Sequence, residues 1–208
     1  MGLKSISFLG GGYEDIVLYL SYCLKQLGVS ILIKDKTGER VLCSYIPEIK
    51  GIDPENEVLD IGGAHYTSGP VTGEYDIVFE LLDYKGKPEK ETFLIIVTDE
   101  HRRHEEALLN SGIEKGDVLI IRNYIGAIKR QYDELVKRMG FGEIYAIPFS
   151  EKDLRAEYLT QYQRKKGFGG LSNELEEVIK QVFSGIVSDY PVKEIKKAFK
   201  KGKRGSKK

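Results

Sequence analysis

The chain has 208 residues, 41% hydrophobic and 31% charged, which is enough for one sizeable core and too few for two ordinary domains. No run approaches the roughly 18 apolar residues of a membrane helix, and Gly10–Gly12 interrupt the N-terminal apolar stretch, so neither a membrane span nor a secretory signal is expected and the default compartment is the cytoplasm. Lysine plus arginine (32) equals aspartate plus glutamate (32), yet Val192–Lys208 holds nine of the basic and one of the acidic side chains, about +8 against about −8 in the body.

Short β-rich apolar runs at Ser5–Leu9, Ser30–Ile33, Glu57–Ile61, Tyr75–Leu82, Thr92–Val97, Asp117–Arg122 and Glu143–Ile147 have the character of strands covered on both faces. Helices are predicted between them. Tyr13–Leu27 carries Ile16, Val17, Leu20, Cys23, Leu24 and Leu27 at i, i+3/i+4 spacing, and His101–Ser111 and Ala127–Met139 follow. Gly28, Gly112 and Gly140 stand where left-handed caps would end these helices. Leu171–Ile186 forms a last amphipathic helix after a glycine-rich bend at Lys166–Gly170. Alternation of strand and helix predicts a single α/β domain over residues 1–190, with a mostly parallel sheet flanked by helices. Residues 191–208 read as a basic flexible tail.

Ser5-Ile-Ser-Phe-Leu-Gly-Gly-Gly-Tyr-Glu-Asp-Ile16 runs from a strand through three glycines into a helix. Such a junction is the usual phosphate cradle, because backbone N–H groups and the helix dipole both favour an anion there. With Gly28-Val-Ser-Ile-Leu-Ile-Lys-Asp35, the segment resembles the opening of MinD/ParA-type deviant P-loop ATPases. In that family a lysine, two glycines, any residue, glycine, lysine and threonine precede the helix. With Gly10 and Gly11 on the glycine pair, Leu9 stands at the deviant lysine and Tyr13 at the later glycine. Glu14 then takes the place of the phosphate-binding lysine and Asp15 that of the magnesium-binding threonine. Two carboxylates in those places repel a triphosphate, so no ATP hydrolysis and no catalytic residue are expected.

The resemblance continues to about residue 186. Val58-Leu-Asp-Ile-Gly-Gly63 resembles the strand-ending aspartate that contacts magnesium, with Tyr75-Asp-Ile-Val-Phe-Glu-Leu-Leu-Asp83 as a competing match; Asp60 is preferred. Phe93-Leu-Ile-Ile-Val-Thr-Asp99 resembles the next core strand, Val118-Leu-Ile-Ile-Arg-Asn123 the strand whose asparagine reads adenine, and Ile144-Tyr-Ala-Ile-Pro-Phe149 the later strand with a proline turn. The resemblance implies a P-loop-like fold with a degenerate phosphate loop. Any ATP or ADP with magnesium would be held by Gly10, Gly11, Gly12, Asp60 and Asn123. It further implies a non-hydrolysing scaffold or adaptor that binds protein partners, or itself as a homodimer. The nearest functional analogues would be atypical members that place secretion, pilus or conjugation machinery.

The same residues have plainer readings. Gly10–Gly12 serve equally as a tight strand-to-helix turn, Glu14 or Asp15 as a carboxylate at a helix start, and Asp60 and Asn123 as strand-end caps. His101 and His104 form an i, i+3 pair among acids but lack a third ligand, which favours a solvated helix start over a metal site. Cys23 and Cys43 show no CxxC or Cys/His spacing, so both are expected in the core. Tyr158 and Tyr162 fit an amphipathic helix with a tyrosine side. A nucleotide-dependent switch remains an alternative function if Lys34 or Lys36, or a second subunit, supplies the absent lysine.

The tail is the strongest electrostatic feature. Lys193, Lys196, Lys197, Lys200, Lys201, Lys203 and Arg204, with Phe199 and Ile195 at i, i+4, predict a short basic amphipathic segment that forms on an anionic surface. An anionic membrane, which would make the chain peripheral there, nucleic acid in the manner of a DNA-partitioning protein, and an acidic protein groove all satisfy that composition.

Overall fold

The computed structural model describes residues 4–45, 55–61, 63–71, 73–89, 92–125, 135–163 and 167–205. In chain order these form β1 (Lys4–Gly10), α1 (Glu14–Lys25), β2 (Ile31–Asp35), a 3₁₀ turn (Val41–Tyr45), β3 (Leu59–Ile61), β4 (Ala64–Thr67), β5 (Ile77–Leu82) and β6 (Phe93–Asp99). There follow α2 (Arg102–Leu109), β7 (Lys115–Tyr124), β8 (Gly140–Pro148), α3 (Glu151–Gln163), α4 (Asn173–Ile186) and α5 (Val192–Arg204).

The apolar runs become one eight-stranded sheet in the order β3-β4-β2-β5-β1-β6-β7-β8. All pairings are parallel except the β3–β4 hairpin at one edge. The expected mostly parallel α/β sheet is therefore present. β1 is flanked by β5 and β6, so the chain departs from the sheet centre in one direction, returns, and then continues in the other. That reversal creates a crevice beyond the carboxyl ends of the central strands, the usual ligand position in open α/β sheets.

Side chains alternate across the strands. Ile6 and Phe8 of β1 face a core shared with Ile16, Leu20 and Leu24 of α1 and Leu175, Ile179 and Phe183 of α4. Leu9 faces a smaller core with Ile96, Leu119 and Ile121, closed by Leu108 of α2 and by Leu135 and Met139. Residues 135–138 are helical, and the rest of the expected Ala127–Met139 helix lies outside the described residues. Gly28 and Gly112 have the expected positive φ, 75° and 76°, whereas Gly140 opens β8. Cys23 is buried and Cys43 half-buried, both unpaired thiols. Among the described residues no helix is long and apolar enough to cross a membrane.

The C-terminal segment departs from its sequence expectation. Val192–Arg204 is a docked helix, α5, rather than a flexible tail. Ala198, Phe199 and Gly202 are buried on it, and Phe199 packs edge-on to Phe168 with ring centroids 5.5 Å apart. Gly202 allows close approach to α1: a Cβ there would lie 2.8 Å from Cys23 Sγ and 2.9 Å from Cys23 Cα. Lys203 Nζ pairs with Glu176 of α4 at 2.6 Å, and its carbonyl accepts from Phe168 N–H at 3.2 Å. Composition pointed to a tail because charge dominates it. Docking follows because the few small and aromatic residues share one helix face.

Two substitutions check this account by urea denaturation. Phe199→Ala should cost about 3 kcal/mol through cavity formation. Gly202→Val should cost about 1–3 kcal/mol through overpacking against Cys23. Unchanged midpoints for both would mean that α5 does not dock.

Candidate functional site

A cavity of about 820 Å³ occupies the crevice. Gly10, Gly11, Gly12, Tyr13 and Glu14 enter it from the β1–α1 junction, Asp83 and Tyr84 from the end of β5, Thr98 and Asp99 from β6, and Arg122 and Asn123 from β7. Phe149, Ser150, Asp153, Leu154 and Glu157 wall the far side. Gly10 has φ 118°, a backbone state that L side chains rarely adopt, and a Cβ there would collide with the Val97 carbonyl of β6. Tight packing of the junction against β6 thus explains one glycine without any ligand.

The N-terminus of α1 is occupied by the protein itself. Arg122 Nη1 donates to Asp15 Oδ1 at 2.6 Å and to the Gly12 carbonyl at 2.6 Å, while Nη2 donates to Asp15 Oδ2 at 3.1 Å. Asp15 Oδ1 also accepts from the Ile16 N–H at 2.9 Å. The pair is buried, with side chains 1% and 12% exposed for Asp15 and Arg122. Burial opposes the guanidinium charge, but Asp15 outweighs it and holds Arg122 firmly protonated. A fork-to-carboxylate contact of this kind is the strong form of charge-assisted hydrogen bond.

Around that pair carboxylates outnumber cations. Glu14, Glu39, Asp83, Asp99, Asp153 and Glu157 line the cavity against Arg103, Arg122 and the imidazole of His104. Burial, then the neighbouring Asp15, raises Glu14 to about 7. Burial and Asp15 also raise Glu157, which accepts from Tyr45 Oη at 2.8 Å. Asp153 is engaged elsewhere, accepting from Ser172 N and Oγ at 2.6 Å at the start of α4. At the rim, His104 Nδ1 lies 2.7 Å from Asp99 Oδ1, and its ring stacks on Tyr84 at 4.7 Å and 17°.

The structure brings Gly10, Gly11, Gly12 and Asn123 to one cavity. Asn123 holds φ 56°, a left-handed state that asparagine tolerates better than most residues. Asp60 is placed elsewhere: it is exposed on β3 at the sheet edge, and its Oδ1 accepts from Gly63 N–H at 2.7 Å in the hairpin. The competing aspartate, Asp83, ends the strand beside β1 and lines the cavity. Lys34 and Lys36 do not line it, and Lys36 pairs with buried Glu80. His104 faces the cavity, whereas His101 is largely exposed. Among the described residues no group of three or more His, Cys, Asp or Glu is arranged to hold a metal ion.

Of the basic stretch, Phe199 belongs to the core and Lys203 to an ion pair. Lys193, Lys196, Lys197, Lys200, Lys201 and Arg204 remain exposed. Sequence reading missed Arg122, although it stands beside Asn123 in the quoted strand. Its partner Asp15 stands 107 residues away, so no local spacing marked the pair.

The raised Glu14 makes stability depend on pH with a defined sign. Its folded value of about 7 exceeds the ordinary carboxylate value, so the folded chain binds the extra proton and stability falls as pH rises from about 5 through 7. Glu14→Gln should therefore be more stable than the parent at pH 8, by roughly 2 kcal/mol, and the gap should close by pH 5. Equal gaps at both pH values, measured by chemical denaturation, would contradict the burial of that carboxylate.

No protein-family model matches the chain, and no curated protein matches it.

Proposed function

We propose that this chain is a non-hydrolysing, P-loop-like α/β scaffold that works by binding protein partners. The observation that carries the reading is the Asp15–Arg122 pair, whose guanidinium bonds to both the helix-start carboxylate and the Gly12 carbonyl. An anion would have to displace that contact and enter a wall rich in carboxylates, where like charges oppose it. The resemblance to MinD/ParA-type ATPases and the mostly parallel sheet with a glycine loop at its central strand support the scaffold part of the reading.

Partner binding is supported by the cavity rim. Leu154, Tyr158 and Tyr162 recur every four residues on α3 and are 39%, 51% and 77% exposed, with Phe149 beside them at 54%. Aromatic side chains are enriched where proteins meet, because each supplies a large apolar area at small entropic cost. Phe149 and Leu154 also line the cavity, so a partner on this stripe would sit at its mouth.

Calorimetry with magnesium and ATP or ADP tests the first half. No saturable heat is expected up to about 1 mM nucleotide; a micromolar Kd with turnover that Gly11→Asp abolishes in a folded protein would overturn the reading. Tyr158→Ser combined with Tyr162→Ser tests the second half. Protein crosslinks formed by the parent in a native extract should disappear while the melting temperature holds, and an unchanged crosslinking pattern would remove α3 as the partner surface.

A further inference from the structure

The two edges of the sheet are unlike. At one, β3 is three residues long, antiparallel to its neighbour, and carries exposed Asp60; shortness and charge are usual means of keeping an edge unpaired. At the other, β8 runs for nine residues as Gly-Phe-Gly-Glu-Ile-Tyr-Ala-Ile-Pro and holds no lysine or arginine. Pro148 and the register shift against β7 both fall at its carboxyl end, which leaves Phe141–Ile147 without such protection. Gly142, Glu143, Ile144 and Ala146 are exposed, and among the described residues no backbone group bonds to the outer side of β8. Gly140 N–H donates inward, to the Glu114 carbonyl at 2.9 Å. Alternate residues of a parallel strand turn their backbone groups to the same side, so Phe141, Glu143, Tyr145 and Ile147 present theirs outward.

We infer that β8 pairs antiparallel with β8 of a second copy of this chain, about a two-fold axis at Ile144, joining the two eight-stranded sheets into one. The fit of β8 to itself selects a second copy over a foreign strand. Ile144 is the midpoint of β8, so an axis there uses all nine residues. Glu143 then stands opposite the partner's Tyr145 in the position where two residues exchange both backbone bonds. Tyr145 Oη already donates to Glu143 Oε2 within the chain, and the same hydroxyl and carboxylate face each other across the axis. Sliding the register by two residues sets either two Glu143 carboxylates opposite each other or Glu143 opposite buried Ile147, and both are unfavourable. On the other face Ile144, 44% exposed, meets the partner's Ile144 in the close, non-hydrogen-bonded position, with Gly142 and Ala146 leaving room for both side chains. The same axis brings exposed Lys137, just before β8, to the end where the partner's exposed Glu151 follows its β8, and does so twice. β6 and β7 separate β8 from β1, so the inference rests on neither the glycine loop nor the α3 stripe.

Sedimentation velocity of the full chain in nucleotide-free buffer should show a species of twice 23.5 kDa that dissociates on dilution, with a Kd of about 1–10 μM. Ile144→Lys sets two ammonium groups face to face at the axis, and Glu143→Pro removes an outward N–H that β7 does not use. Each should weaken association at least about tenfold, with circular dichroism unchanged. Cysteines read the register. The Cα atoms of a close antiparallel pair lie about 4.5 Å apart, within reach of a disulfide, so Ile144→Cys should crosslink two chains under mild oxidant. Ala146→Cys should not, because its two copies lie about 13 Å apart along the paired strands. Nor should the parent, whose Cys23 is buried and Cys43 half-buried. A parent that stays monomeric up to about 0.1 mM overturns the inference, as does a dimer that both substitutions leave intact. Crosslinking by Ala146→Cys without Ile144→Cys overturns it too, and so does a dimer that forms only with ATP and magnesium, which would move the contact to the glycine loop.

Discussion

Arg122 and Asp15 form the contact on which the centre of this molecule depends. Asp15 opens α1 with a side chain only 1% exposed, and a carboxylate so buried requires a partner to stay charged. Arg122 reaches it from β7, two strands away from β1, and bonds the Gly12 carbonyl on the way. One guanidinium thus ties together the glycine loop, the first turn of α1 and the end of β7, where Asn123 takes its left-handed turn. The same geometry that would receive a phosphate in a nucleotide-binding protein is filled from within the chain. Glu14 and Glu157 line the same cavity, and burial, with Asp15 beside them, raises both above the ordinary carboxylate value.

The second constraint is the economy of helices. α1, α4 and α5 pack on one face of the sheet, and α5 is held by a glycine-mediated approach to Cys23 and by Phe199 between Phe168 and Phe183. On the other face, α2 and residues 135–139 cover β6 and β7. Over the middle of β1 and β5 that face is polar, between Leu9 and Leu82 and the strand starts: Ser7 Oγ donates to Glu80 Oε2 at 3.2 Å, and Lys36 pairs with the same carboxylate. A buried acid satisfied by a lysine and a hydroxyl takes the place that apolar residues hold in a fully covered strand.

Much of this architecture was legible in the sequence, and the failures have physical causes. Seven apolar runs marked seven strands; continuous apolar residues fit the central parallel strands, which are covered on both faces, whereas β3 is an antiparallel edge strand and β8 is largely exposed, with only Ile147 buried. Ala64–Thr67 was missed since its four residues, Ala-His-Tyr-Thr, carry neither a run nor a clean alternation. α5 was taken for a tail because lysines outnumber its buried residues, although burial of Ala198, Phe199 and Gly202 needs only one face. Asp60 was preferred to Asp83 on the resemblance; Asp83 is the one at the cavity, because β5, not β3, lies beside β1. Arg122 escaped notice because its partner lies 107 residues away, a separation that no local pattern encodes.

The most direct test of the account is a double-mutant cycle on Asp15→Ala and Arg122→Ala, read by urea denaturation at pH 7. A buried pair predicts that each single change costs about 3–5 kcal/mol, since it strands the other charge, and that the double variant loses much less than the sum. A coupling energy above about 2 kcal/mol is expected. Additivity to within about 0.5 kcal/mol would contradict the account, because the two side chains would then be independent in solution and the start of α1 would be open to an anion.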